Sequence, residues 1–567
     1  MVSDNHPDHP LHRLNDDVLR MVCELLRPRG NLRPLSITCK WIRTACIPVL
    51  FRECIVQSKV VDRQYGRGFI PRSLWPYVCT LWFSGHFTRH EIEWLNIVHY
   101  HGLEDHDRAK EELHAMLVLV KQISNALRVT LGSMHALKSI RIFMTNQAVR
   151  AYHGSIYGIS PYILEAIMST PHLQRLSITG PLFHFRDSWP SDVAIPPLAD
   201  LSIFTYCRND IRSAAHVSHA EREEILHILA RTHDRLEELD LPAECAPLDW
   251  MATWDWPSLR TLWLRGERAP SSLPLTYMLS KMPRLREASL LLAEPVNGGN
   301  SPMSRPSSSD SQVVCRDLEI LNVAHPNPED DLYSRLSRDL LCLALRCWPR
   351  YYKLHTRFEE EFSAAGVQWT SPLLSSSEML RILRRVDAPQ LYVMDLEFRA
   401  DPGDTQLFRH IGSAFPALKF LCVHRYRMAS ETELPLIAIA RALSSLQHLE
   451  VLMLHLDFLD LPDVGEPVVN DDHVYEVPPA RAQQLADSDA TLARAANVMA
   501  GLLGPSLQWL PLLRPTRDHE YQWVLFRIVR STDAEDGDKV TAEHRWPWER
   551  KPGEPAFPYH SLLRDDD

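Results

Sequence analysis

Apolar and polar positions along the chain fall into two rhythms. Near the N-terminus, Val18, Leu19, Val22, Leu25 and Leu26 follow one another at steps of one, three and four, the spacing of an apolar stripe on a helix. Asn15 stands where a capping side chain belongs, with Asp16 and Asp17 in the first turn, where carboxylates suit the helix dipole. Pro28, Gly30 and Asn31 break this helix. Leu32, Leu35 and Ile37 continue the apolar face, Cys39-Lys-Trp41-Ile42 enters a third helical stretch, and Pro48-Val-Leu50-Phe51 closes the block. Three short helices in about forty residues bury too little surface to stand alone, so the unit is expected to dock on something.

Beyond residue 130 the rhythm changes to a recurring phrase, Leu-x-x-Leu-x-Leu. It is written Leu137-Lys-Ser-Ile140-Arg-Ile142, Leu173-Gln-Arg-Leu176-Ser-Ile178, Leu198-Ala-Asp-Leu201-Ser-Ile203 and Leu236-Glu-Glu-Leu239-Asp-Leu241. It continues at Leu259, Leu285 (with Ala288 at the second leucine), Leu318, Leu391, Leu418 and Leu449; Val78-Cys-Thr-Leu81-Trp-Phe83 reads as an earlier copy. The starts lie 23 to 38 residues apart, except for one interval of 73, which predicts a decayed repeat or a helical insertion around Tyr333–Val386. Helical text such as Ala220–Leu229 and Leu434–Leu446 lies between the phrases, so each unit is expected to be a short strand plus a helix, with the leucines in a shared core.

The first block, Leu11 to Phe51, resembles an F-box. The family's Leu-Pro-x-Glu-Ile/Leu opening corresponds to Leu14-Asn15-Asp16-Asp17-Val18-Leu19, with Asn in place of Pro and Asp in place of Glu. Leu32-Arg-Pro-Leu35-Ser-Ile37-Thr-Cys39-Lys40 is similar to its middle stretch, and Pro48-Val-Leu50-Phe51 to its ending. An F-box followed by irregular leucine-rich repeats is the arrangement of large fungal F-box families. The expected fold class is therefore α/β: a short three-helix F-box, then an irregular leucine-rich-repeat solenoid. The expected boundaries are a disordered leader at 1–10, the F-box at 11–55 and a helical linker or first irregular repeat at 56–135. The solenoid follows at 136–530, with a Ser/Pro-rich flexible loop at 298–312, and a charged Pro-rich tail at 531–567.

The resemblance implies a substrate receptor of an SCF-type cullin–RING ubiquitin ligase. The F-box would bind a Skp-type adaptor, and through it the cullin complex, and the repeats would hold an unidentified protein substrate. Leu11, Leu14, Val18, Leu19, Val22, Leu32, Leu35 and Ile37 are then the adaptor-binding face or its immediate support. A repeat scaffold without any link to ubiquitination is the alternative.

On a strand the third, fifth and seventh positions of the phrase alternate with the leucines and so face away from the core. These rows run polar and acidic in the middle of the array and apolar at its end, at Val393, Phe420, Val451, Cys422 and Met453. The apolar end reads as a second binding patch or as a surface covered by the C-terminal segment. In the middle, Trp263 and Arg265 lie two residues apart, Glu238 and Asp240 one repeat earlier and Glu287 one repeat later. An aromatic ringed by charge has the composition of a binding hot spot, so these five are the candidate substrate-binding residues.

Composition narrows the picture. The 567 residues are 45 % apolar and 23 % charged, which fits a globular chain, and the net charge of −11 argues against nucleic acid as a partner. No apolar run approaches a membrane span and no secretory signal is visible, so an intracellular location, cytoplasmic or nuclear, is expected without membrane association. The 11 cysteines form no CxxC pair and read as buried thiols. Phosphate loops, HExxH and GxSxG are lacking, and glycines number only 20. His99, His101 and His106 are the nearest approach to a ligand set, but two histidines at i, i+2 converge only on a strand and His106 falls in a loop, so no metal is expected there; Ser307 reads as part of a solvated loop. No catalytic residue, metal or cofactor is expected.

Overall fold

In the computed structural model the chain divides into two compact units, Met1–Asp210 with Val217–Leu241, and Ile211–His216 with Pro242–Asp567. The structure describes residues 15–27, 32–57, 70–84, 121–143, 161–179, 196–204, 219–269, 271–295, 315–352, 369–459, 468–469, 475–476, 479–514, 522–531 and 539–545, with 118 and 461. The expectations at Leu11, Leu14, the leader, the 298–312 loop, Ser307 and His99–His106 lie outside these residues.

The first unit opens with three helices, α1 (Asp16–Leu26), α2 (Leu32–Ser36) and α3 (Lys40–Leu50). Asn15 caps α1 by accepting from the Asp17 amide at 3.1 Å. Strands follow: β1 (Glu53–Gln57), β2 (Thr80–Ser84), β3 (Ser139–Phe143), β4 (Arg175–Thr179), β5 (Asp200–Phe204) and β6 (Glu238–Pro242). They pair in sequence order and in parallel, each step in register. Parallel neighbours need a crossover, and helices such as 121–132, Pro161–Met168 and His219–Thr232 lie between the strands.

The second unit continues with β7 (Thr261–Glu267), β8 (Glu287–Pro295), β9 (Ile320–Ala324), β10 (Cys342–Arg346), β11 (Trp369–Thr370), β12 (Val393–Arg399), β13 (Phe420–Tyr426) and β14 (Val451–His455). β7, β8, β9, β10, β12, β13 and β14 form one parallel series, and β11 pairs antiparallel with β8. After the short hairpin β15 (Val468–Val469) and β16 (Tyr475–Glu476) comes a helix, Pro479–Ala500. The unit ends in β17 (Leu512–Arg514), parallel to β14, then β18 (Gln522–Ser531) and β19 (Lys539–Arg545), both antiparallel. The expected charged tail thus contributes a strand at Lys539–Arg545.

The fold is mixed α/β with a mostly parallel sheet. The leucine phrases explain why: in all ten copies from Leu137 to Leu454 the leucine-type positions are at most 2 % exposed. The register sets them in one ladder, Leu262, Ala288, Leu321, Leu343, Met394, Leu421 and Leu452 lying side by side across seven strands. Helix residues Ile225, Ile228 and Leu229, then Met379, Ile382 and Leu383, then Leu407, Phe408 and Ile411, supply further buried positions at helical spacing.

The 73-residue interval, where a decayed repeat or a helical insertion is expected, holds a strand and a helix. Leu340-Leu-Cys-Leu343-Ala-Leu345 is another copy of the phrase and forms β10. The helix Ser376–Leu383 precedes β12, its start fixed by a capping box between Ser375 and Glu378.

Candidate functional site

The N-terminal helices have an interior of their own: Cys23, Leu32, Ile42, Cys46 and Val49 are buried together, with Leu26, Leu35, Trp41 and Leu50 packed around them. The Cys23 and Cys46 sulfurs are 3.8 Å apart, and burial pushes the Cys46 thiol up to about 12. Arg52 holds Glu24 of α1 at 3.0 Å, and Arg27 bonds Glu53 of β1. Helix α1 nevertheless carries a second apolar stripe turned outward. Val18, Met21, Val22 and Leu25 are exposed, Leu25 by 73 %, and Ile37 by 71 %. These four positions of α1 are spaced i, i+3, i+4, i+7, the pattern of one helix face.

Of the residues assigned to adaptor binding, Val18, Val22 and Ile37 therefore lie on the surface. Leu35 is half-buried. Leu19 and Leu32 are interior, so they support the face rather than form it. Met21 and Leu25 belong to the exposed face. The helical spacing that placed Leu25 on an apolar stripe was the signal for both, since Met21 falls in the same stripe.

Among the candidate substrate residues, Trp263 and Glu287 come together: the indole N–H donates to Glu287 Oε1 at 2.9 Å, across the β7–β8 pair. Trp263 is half-buried. Arg265 is buried, which corrects the open position that strand alternation alone gives it. Glu238 and Asp240 lie in the first unit, Glu238 exposed and Asp240 half-buried, with the Ser202 hydroxyl donating to Asp240 Oδ2 at 3.3 Å.

The apolar end of the array is not an open patch. Val393, Phe420, Val451, Cys422 and Met453 are buried in one cluster with Cys342 and Ala344 and with Trp509 and Leu525 from the C-terminal segment, and Trp523 packs against it.

Beside this cluster sits an ion network that the sequence did not reveal. Arg350 grips Asp395 through both guanidinium nitrogens, at 2.6 and 3.4 Å, and reaches Glu397 at 3.4 Å. Arg346 approaches Asp395 at 3.6 Å. Glu397 also accepts from the Cys347 and Tyr351 amides and from the Tyr426 hydroxyl, at 2.8, 2.9 and 2.9 Å. Burial raises the Glu397 pKa, while Arg350 and these donors pull it back. Around it, Tyr352 stacks on His424, and His455 meets Tyr426 edge-on at 5.0 Å. Burial drives the His455 pKa down to about 3, so its imidazole is neutral. Asp395, Cys422 and His424 bring three potential ligand atoms within 4.8 Å of one another. With Arg346 and Arg350 already on the carboxylate, a cation there would face two guanidinium groups, so the arrangement is that of a structural ion network.

A scan against protein-family models finds no match to this chain, and no curated protein matches it. Among the described residues no helix is long and apolar enough to cross a membrane.

Proposed function

We propose that this chain is the substrate receptor of an SCF-type cullin–RING ubiquitin ligase. In this reading α1–α3 are an F-box that docks on a Skp-type adaptor, and the strand–helix units are an irregular leucine-rich-repeat solenoid that holds a protein substrate. The observation that carries it is the outward stripe of α1. A three-helix unit that has filled its own interior and still exposes Val18, Met21, Val22, Leu25 and Ile37 is built to be covered by a partner. The receptor performs no bond chemistry of its own; it raises the effective concentration of the substrate at the transfer site.

The substrate-facing residues in this reading are the polar strand positions, with Trp263 and Glu287 in the second unit and Glu238 and Asp240 in the first. Arg265 is buried and is not among them. The test is reconstitution with purified adaptor and cullin. The full chain should co-elute with both, and Leu25→Glu with Val22→Asp should abolish co-elution while leaving the unfolding midpoint nearly unchanged. Undiminished adaptor binding by a folded double variant overturns the proposal. Binding to a substrate without adaptor or cullin favours the repeat scaffold unconnected with ubiquitination.

A further inference from the structure

The first unit carries a sheet face whose charges are sorted by strand. The register places Trp82, Arg141, Ser177, Ser202 and Asp240 in one row, and Ser139, Arg175, Asp200 and Glu238 in the row beside it. Arg141 and Arg175, on β3 and β4, are exposed, and the Arg141 guanidinium stacks over the Trp82 ring at 4.9 Å. Stacking occupies the flat face of a guanidinium and leaves its edge donors available. Phe143 is exposed on β3 at the same end. The other end is acidic: Asp200 on β5, Glu238 and Asp240 on β6.

Asp200 and Glu238 are direct neighbours in register. Like charges set opposite each other on adjacent strands are destabilising. Burial and then the Glu238 charge raise the Asp200 pKa to about 6, against the pull of Arg175 and Arg141. The sheet thus keeps a local conflict that any neutral side chain at position 200 would remove, and conflicts of this kind mark sites where another group completes the arrangement.

We propose that this face docks an extended protein segment running across the strands, with a lysine or arginine over Asp200, Glu238 and Asp240 and an acidic side chain over Arg141 and Arg175. The inference rests on the receptor reading for its biological role, and on charge complementarity for the partner's chemistry. The Arg141–Arg175 pair and the Asp200–Glu238 pair are centred two strand spacings apart, about 10 Å, and residues on one face of an extended chain recur about every 6.6 Å, so the acidic and basic residues should stand two or four apart. The edge nitrogens of Arg141 suit a carboxylate. The basic group relieves the Asp200–Glu238 repulsion.

The probe is an array of immobilised ten-residue peptides carrying one acidic and one basic residue at every mutual spacing, exposed to the full purified chain without adaptor. Retention should peak at spacings of two or four. It should fall at least tenfold when the basic residue is replaced by Glu, and strengthen from pH 5 to pH 7.5 as Asp200 ionises beside Arg141, Arg175, Glu238 and Asp240. Asp200→Asn with Glu238→Gln should lose at least tenfold in retention while melting no lower than the wild type, because the repulsion is gone. Arg141→Ala should lose the preference for the acidic residue. Retention indifferent to the peptide's basic residue, or unchanged in the folded double variant, overturns the proposal. The same variants should keep adaptor binding, so failure on the array and failure of adaptor co-elution report on the two readings separately.

Discussion

Arg350 is enclosed by the carboxylates it serves, and its side chain is as buried as theirs. Removing one partner of such a network leaves a charge without compensation in the interior, a loss of about 3–5 kcal/mol. Arg350→Ala should shift the chemical-denaturation free energy by that amount, whereas Arg338→Ala, an exposed partner of Asp387, should cost about 0–1 kcal/mol. The buried histidines add a pH dependence. His455 is held down to about 3 and His325 to about 4, both by burial, below the ordinary value of 6.5. The unfolded chain therefore binds protons that the folded chain refuses. Stability is full above about pH 6.5 and declines as the pH falls, by up to about 1.4 kcal/mol per pH unit for each group. Unfolding midpoints between pH 7.5 and 5 should show this slope, and His455→Phe should roughly halve it, leaving the share of His325. None of the ion network was legible in the sequence. Arg350 lies 45 residues from Asp395, and Cys347 lies 50 from Glu397. Only the stacking of strands brings them together, and no local pattern encodes that meeting.

Elements were far more legible, because each strand must bury its leucines and so repeats one pattern. The phrase found ten strands of the parallel series in place, and the copy at Val78 to Phe83 corresponds to β2. It missed β10 because Leu340, Leu341, Leu343 and Leu345 form a run in which the spacing of the buried positions is blurred by an extra leucine. Alternation also placed Arg265 outward, on the same side as Trp263. The side chain is buried all the same, since burial depends on neighbouring strands as well as on the pleat. The ladder itself is testable. Leu262 is fully buried beside Ala288, and Leu262→Ala should cost about 2–5 kcal/mol by leaving a cavity. Trp263→Ala, one residue on, removes a half-buried ring and its bond to Glu287. It should cost less stability than Leu262→Ala in the same denaturation experiment.

At the scale of the whole molecule, the two units differ in what they leave exposed. The first combines an outward apolar helix stripe with a charge-sorted sheet face. The second packs its corresponding apolar positions against its own C-terminal segment. At this scale the sequence reading set a change of rhythm near residue 130, whereas the parallel strands begin at Glu53 and the division between the two units falls within the phrase array, after Leu241. For the apolar end the sequence offered two readings, a second binding patch or a surface covered by the C-terminal segment, and the second holds; nothing local could choose between them, because Trp509, Trp523 and Leu525 carry no leucine phrase.

The antiparallel ending of the second unit also bears on solubility. β18 is rich in apolar residues, Trp523 to Phe526 and Ile528 to Val529, while β19, paired along it, carries Lys539, Glu543, His544 and Arg545. The backbone amide of Ala542 on β19 is taken by the Asn497 side chain at 2.9 Å. A charged strand with part of its backbone already occupied is a poor template for another chain. A protein ending at residue 531 presents β18 instead, an apolar edge ten residues long. Such a truncated chain should self-associate with rising concentration in analytical ultracentrifugation where the full chain stays monodisperse, and Val529→Lys in the truncated form should restore the single species.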